Sequence, residues 1–432
     1  MHLFAEGRPR LITGGNAKKS TPRTKVVVFV TDPEMPFGAR LKTARLRAGM
    51  SRPVLAGLVG KSAEWLKSIE NGRLLPPRLP VLLRLAEVLG IDNLAELTGD
   101  ERMSTPTFGK ASHEYLPDVA RALATYPVQN GDGPPDVAGL LARVAQVWEL
   151  WHGTRRHRSA VASLLPGLLH DARTTVRRVD GDARRAVLVA QAQIYHLTQL
   201  YLSFQPAPEL VTLTSDRAMI AAQDADDPRA MAAAAWYVNH VYRDGEQQAE
   251  ARVQLAHDAA ALLSPESSVE DRALFGLLHL ATALSHAKTG RDGDAWRHWD
   301  IADQAVNALP TGYRHPWLIF GRNMVDAYVI TMLNDLMRPG DAARQAEHVH
   351  LDHMGSATRQ SFHTIEVARA YHQNRESVAA IHLLRKAEEY SPETAQFNLF
   401  TRAAVTDLAE NGGATVRGDA RDLSQKLGLV TA

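Results

Sequence analysis

Gly49-Met50-Ser51-Arg52-Pro53-Val54-Leu55-Ala56-Gly57-Leu58-Val59-Gly60-Lys61-Ser62-Ala63-Glu64-Trp65-Leu66-Lys67-Ser68-Ile69-Glu70-Asn71-Gly72 reads as two short helices joined by a tight turn. Ser51 can cap the first helix, and Pro53 sits in its first turn, where the missing N–H costs nothing. Val59–Ser62 makes the turn. Ser62 then caps a second helix that runs to Glu70 or Asn71 and ends at Gly72, a residue that suits a left-handed helix end. Leu66 and Ile69 lie three apart and point inward, so Ala63, Glu64, Lys67 and Ser68 share the outer face. Outer-face side chains near the start of such a helix are the ones that reach base edges in a major groove.

Working outward, Gly and Pro punctuation from Phe37 to about Gly99 predicts five short helices. The pattern Ser62-x-x-Trp65-Leu66-x-x-Ile69-Glu70-x-Gly72-Arg73, followed by LLPPRLPVLLRLAEVLG, resembles the Cro/C1-type phage-repressor family, also called the XRE family, over about 65 residues. The resemblance implies a structural ion pair between Arg45 of the first helix and Glu70. It also implies DNA contacts from Arg52 at the start of the second helix and from Ser62, Ala63, Glu64, Lys67 and Ser68 of the third. Asn71 and Arg73 would approach phosphate, and Arg78, after the paired prolines, would reach a minor groove. Two positions depart from the family pattern. Arg52 stands where the family usually has Gln, and Lys67 where it has a small polar residue, so the resemblance does not imply a particular operator. A Glu64 carboxylate repels phosphate and can accept only from a cytosine amino group or meet a partner residue. Trp65 reads as half-buried packing rather than as a stacking contact.

Charge follows the same division. The chain as a whole carries +1, yet residues 37–100 sum to +4 and residues 101–432 to −6. Positive charge is concentrated where a polyanion would be met. With 45% hydrophobic and 22% charged residues, enough apolar surface exists to offset the entropy of ordering most of the chain. The absence of cysteine excludes disulfides, thiolate zinc sites and cysteine nucleophiles. No apolar run is long enough to span a bilayer, and the basic N-terminus lacks the apolar core of a secretory signal, so a cytoplasmic protein is expected. Residues 1–34 read as a mobile basic tail, with Met35 as a second candidate start of translation. Residues 35–100 read as the DNA-binding head and 101–136 as a linker.

From residue 137 to 432, apolar positions recur at helical spacing, broken by segments such as DADDP, SPESS, KTGRDGD and MRPGD. About fourteen helices and no strand are expected. Alanines at the places where neighbouring helices would meet imply stacked helix pairs in an α-solenoid, since no single pair could bury its apolar face. Between Thr364 and Pro392, the residues Ala368, Tyr371, Ala380, Leu384, Ala387 and Pro392 fall at tetratricopeptide spacing. Ala295, Trp299 and Ala302 look like a second copy, and Ala249, Val253 and Ala256 like a degenerate third. A repressor-type head ahead of an α-solenoid resembles large actinobacterial regulators and, more distantly, peptide-sensing regulators of Gram-positive bacteria. That likeness implies a peptide or small-molecule effector on the concave face.

Sharper readings of this region carry less weight. His348, His350, Asp352 and His353 have a spacing that spreads them around a helix rather than gathering them as metal ligands. Trp148, Trp151, Trp236, Trp296, Trp299 and Trp317 read mostly as inter-helix core. Arg155-Arg156-His157-Arg158 reads as a solvated corner. No nucleophile triad, phosphate-binding glycine loop or paired-carboxylate signature stands out, so neither catalysis nor a cofactor is expected. The fold expected is all-α, and the function is that of a sequence-specific transcriptional regulator that binds double-stranded DNA as a homodimer, with no membrane partner. The alternative is an adaptor whose helix-turn-helix head docks on a protein.

Overall fold

A computed structural model describes residues 35–77, 79–91, 94–98, 110–129, 133–241 and 249–429. Every regular element among them is helical, and the chain divides into two compact units, Met1–Met103 and Ser104–Ala432. The expected tail lies outside the described residues, as does the first part of the expected linker.

The head contains the five helices read from the sequence: α1 (Phe37–Arg47), α2 (Arg52–Leu58), α3 (Ala63–Glu70), α4 (Leu79–Leu89) and α5 (Ala95–Thr98). Leu41, Leu55, Leu66, Ile69, Leu85 and Leu97 supply its core. Each such side chain contributes roughly 1.5–3 kcal/mol by leaving water. At Gly38, α1 lies so close to α3 that a Cβ would come within 2.3 Å of the Ile69 carbonyl oxygen. Only glycine permits that approach. Gly60 takes φ +67° in the α2–α3 turn, the left-handed conformation its place in the sequence suggests.

The second unit begins earlier than the sequence suggests. Residues 101–136 read as a linker, but α6 (Leu116–Ala124) forms inside them, with Val119 and Leu123 fully buried in the core of the unit. The pair is spaced i, i+4 on a short amphipathic turn, a signal overshadowed by the Gly/Pro-rich stretch that follows. After α6 come α7 (Val137–Gly153), α8 (His157–Ala162), α9 (Leu165–Thr175), α10 (Gly181–Leu202), α11 (Pro208–Asp224), α12 (Pro228–Val241), α13 (Ala249–Ala261), α14 (Val269–Lys288), α15 (Asp292–Asn307), α16 (Arg322–Asp335), α17 (Pro339–Ala346), α18 (Ala357–Gln373), α19 (Ser377–Tyr390), α20 (Pro392–Phe397), α21 (Leu399–Asn411) and α22 (Ala414–Lys426). That is sixteen α-helices from residue 137 onward among the described residues, against the fourteen expected, because short helices such as α8 and α20 carry too few turns to show a period.

Helices α10 to α19 pair in succession, consistent with a solenoid-like run. The inner members α10, α12, α14, α16 and α18 touch one another in turn, and α7 touches both α10 and α18. The inner row therefore closes on itself. Two joints secure the closure. His152 of α7 bonds through Nδ1 to Ser356 Oγ at 2.9 Å and through Nε2 to the Trp317 carbonyl oxygen at 2.9 Å. Glu393 of α20 accepts from the Arg158 backbone N–H at 2.5 Å and from the Ser159 N–H at 3.2 Å, so it caps α8 from 235 residues away in the chain.

The Arg155–Arg158 run, expected as a solvated corner, is solvated only in its first half. Arg155 and Arg156 are exposed, but His157 and Arg158 are buried against Glu393, and the Arg158 guanidinium donates to the Leu200 and Tyr201 carbonyl oxygens. Burial alone would raise the Glu393 carboxyl, but the nearby His113 and His157 rings and hydrogen bonds from Ser159 and the backbone N–H of Arg158 outweigh it and hold it well below the usual range.

Trp148, Trp151 and Trp236 are buried and Trp296, Trp299 and Trp317 pack on the same core, as read from the sequence. His348, His350, Asp352 and His353 lie on an exposed turn, and Asp352 accepts from the Tyr390 hydroxyl at 2.7 Å. Among the described residues, no group of three or more His, Asp or Glu is placed to hold a metal ion, and no helix is long and apolar enough to cross a membrane.

Candidate nucleic-acid interface

Helices α2 and α3 are both started by serine. Ser51 Oγ accepts from the Val54 N–H at 3.5 Å, and Ser62 Oγ accepts from the Trp65 N–H at 3.1 Å. Such a cap is worth about 1 kcal/mol and fixes where α3 begins. The end of α3 is set by Gly72 at φ +70°, where the Arg73 N–H returns to the Ser68 carbonyl oxygen at 2.8 Å. Helix α3 is thus held at both ends by its own sequence, and Leu66 and Ile69 bury its inner face.

What remains outward is the face expected from the spacing. Glu64 and Lys67 are exposed, and Ala63 and Ser68 are partly so. Ser62 is exposed beside them, while its Oγ already accepts one backbone N–H. Lys67 Nζ lies 3.5 Å from Glu64 Oε2, so the cation that would meet DNA is partly neutralised by its helix neighbour. Trp65 is half-buried against the head core, as expected, with Lys61 Nζ 5.9 Å from its ring centre. Lys61 is an exposed cation at the mouth of α3 that the sequence reading did not single out; its place in the α2–α3 turn was the available signal. Asn71 and Arg73 are exposed just past the end of α3. Arg78 lies outside the described residues.

Beneath this face, Glu70 joins three helices. Arg45 donates from Nε to Glu70 Oε1 at 2.6 Å, from Nη2 to Oε2 at 3.2 Å, and from Nη1 to the Met50 carbonyl oxygen at 2.7 Å. All three of its nitrogens are engaged and the side chain is buried, so Arg45 braces the fold, as the resemblance implied. Arg52 also donates from Nε to Glu70 Oε2, at 2.7 Å. Its side chain keeps 35% of its surface, which leaves the outer guanidinium nitrogens facing solvent. Burial alone would raise the Glu70 carboxyl, but Arg45 and Arg52 outweigh it and hold it below the ordinary range.

Two capped helices at a tight glycine turn, with a braced inner face and a polar outer one, form a unit that can lay α3 into a major groove and rest the flanking residues on phosphate. Comparison with known protein families agrees with this geometry: residues 36–97 match the family described as the helix-turn-helix domain. No curated protein matches the chain. Residues 36–97 accordingly form a helix-turn-helix domain.

Proposed function

We propose that the chain is a sequence-specific transcriptional regulator that binds double-stranded DNA as a homodimer and answers to an effector through its second unit. The observation that carries this reading is the outward face of α3, where Lys67 and Ser68 stand clear of a core that holds the helix rigid. In this reading Ser62, Ala63, Glu64, Lys67 and Ser68 face base edges, Arg52 adds its free guanidinium nitrogens, Asn71 and Arg73 meet the sugar–phosphate backbone, and Arg78 reaches a minor groove. One head covers few base pairs, so useful affinity calls for two heads on half-sites about one helical turn apart. The tetratricopeptide-like character of the second unit is supported by α18 and α19, where Ala368, Ala380, Leu384 and Ala387 are all fully buried at the helix–helix contact.

The test is a DNA-binding titration of the intact protein across salt concentrations. Phosphate neutralisation makes log affinity fall linearly with log salt, by about 0.9 for each phosphate met. A second reading, an adaptor docking on a protein, is favoured by the exposed apolar side chains Val54 and Leu58 of α2 and Leu75 beyond α3. DNA binding that is absent or indifferent to salt would support the adaptor instead.

A further inference from the structure

A cleft of about 480 Å³ opens on the second unit between the end of α15, the segment joining α15 to α16, the first turn of α16 and the turn before α18. Its volume lies in the ordinary range of ligand pockets, roughly 300–1,000 Å³. Leu309, Ile319, Met324 and Met354 form its apolar side. The charged groups around it are of one sign. Arg314 and Arg322 line the space with His353 beside them, and no Asp or Glu does. That is a local reversal within residues 101–432, whose charges sum to −6.

The two arginines differ in what they have left to give. Arg322 is spent: Nη1 donates to Asp303 Oδ1 at 2.7 Å and to Asp326 Oδ1 at 2.8 Å, and Nη2 donates to Asn307 Oδ1 at 3.0 Å. Arg314 is exposed and has no carboxylate within ion-pair distance among the described residues. Its guanidinium makes one long hydrogen bond, from Nη1 to the Met354 carbonyl oxygen at 3.5 Å. Gly355 leaves it a seat: at φ +64°, a Cβ there would come within 1.5 Å of Nη1, so a side chain at this position would displace the guanidinium.

The wall of the cleft is also strained. Ile319 is buried at φ +61°, a conformation that β-branched residues avoid and that persists mainly at ligand clamps and switch segments. The same segment carries Trp317, whose carbonyl oxygen accepts from His152 at the joint where the inner row closes.

These features select among occupants. A cation would face arginines with no acid in the wall, and a neutral molecule would leave the Arg314 fork unused. A carboxylate offers two oxygens that match the planar fork. A phosphate dianion would find one uncommitted arginine for its two charges.

We propose that this cleft binds one small organic carboxylate, with its two oxygens on the Arg314 guanidinium and its apolar body against Leu309, Ile319 and Met324. The inference deepens the regulator reading, and rests on it only in making this acid the effector, acting through the segment that carries Trp317. The site itself is tested without DNA.

Isothermal titration of the intact protein should give saturable binding of phenylacetate or octanoate, one per chain, with phenylethanol, phenethylamine and inorganic phosphate weaker by about tenfold or more. Arg314→Gln should weaken the acid by about tenfold and leave the melting temperature unchanged, since the side chain is exposed. Arg344→Gln, an exposed arginine outside the cleft, should bind the acid as the wild type does. Crystals of the wild-type protein soaked with bromophenylacetate provide an independent reading, with the carboxylate expected on Arg314 and the bromine among Leu309, Ile319 and Met324. No saturable binding by either acid, equal or tighter binding of the alcohol, the amine or phosphate, wild-type affinity in Arg314→Gln, or bromine located elsewhere would each overturn the proposal. Binding at the site with DNA affinity unchanged would leave the site standing and remove only its regulatory role.

Discussion

Arg52 and Glu70 are joined by a 2.7 Å hydrogen bond from Nε to Oε2, linking the first residue of α2 to the last of α3. The arginine expected to touch DNA is therefore already committed at one nitrogen to holding the two helices in register. Its remaining donors face solvent, so its fold role and its proposed DNA role draw on different atoms. Arg52→Ala is expected to lower head stability by about 1–2 kcal/mol and to weaken DNA binding as well. Arg52→Lys should keep part of the DNA affinity, since the charge survives, while failing to restore the stability, since the forked geometry does not. Thermal melts alongside binding isotherms separate the two. Loss of affinity with unchanged melting would remove the structural role.

Arg45 is expected to behave differently. With its nitrogens on Glu70 and Met50 and its side chain buried, Arg45→Ala leaves a buried carboxylate with Arg52 as its one remaining charged partner. Breaking a buried pair from one side costs about 3–5 kcal/mol. Denaturant titration should show that loss, while any folded fraction keeps the wild-type sequence preference. A normally stable variant with altered preference would contradict the assignment.

Arg73 follows α3 and is exposed, with its backbone N–H spent on the Ser68 carbonyl oxygen and its side chain facing solvent. As a phosphate contact it carries no sequence information. Arg73→Ala should weaken binding to all DNA sequences alike and reduce the slope of log affinity against log salt by about one unit. An unchanged slope would place Arg73 off the DNA.

The two units should respond differently to acid. Burial lowers His152 to about 4, His157 to about 3, His196 to about 3, and His279 and His298 to about 4. The Nδ1 atoms of His279 and His298 lie 2.9 Å apart, so protonating both rings would set two N–H groups against each other. Below the ordinary histidine value of about 6.5 the unfolded chain takes up protons that the folded unit refuses. Stability is therefore present above about pH 6.5 and is lost as pH falls toward 4, by on the order of 1–3 kcal/mol for each of the most buried histidines. The described head has no histidine. Glu70, lowered, contributes stability above its unfolded value of 4.5 that is lost only as pH falls through its folded value. Calorimetry between pH 7 and pH 5 should show the transition of the second unit moving down in temperature well ahead of that of the head. Transitions that fall together would count against the buried neutral histidines.

What could be read from the chain alone follows the range of the interactions. Ser62, Gly60 and Gly72 act on backbone within a few residues, so the start, turn and end of α3 were legible, as was its outer face. The Arg45–Glu70 pair was reachable through family resemblance. The Arg52–Glu70 bond was not, because the same resemblance pointed Arg52 outward and nothing in the spacing shows a carboxylate sharing its oxygens between two arginines. In the second unit, helical period and alanine spacing revealed the paired helices, but not their closure. That depends on Glu393 meeting α8 and His152 meeting Ser356, residues more than 200 positions apart. The same distance explains why Arg158 looked like part of a solvated basic run.

Helix α3, in the proposed function, reads DNA sequence with its outer face. The direct measurement is selection and sequencing of random double-stranded DNA by the intact protein and by the Lys67→Ala, Ser68→Ala double variant. The wild type should enrich one motif with two half-sites about a helical turn apart. The variant should show relaxed choice at specific positions within each half-site, equivalent to about 1–3 kcal/mol of discrimination for each base-reading side chain removed. No enriched motif, or the same motif with undiminished preference from the double variant, would contradict this role of α3.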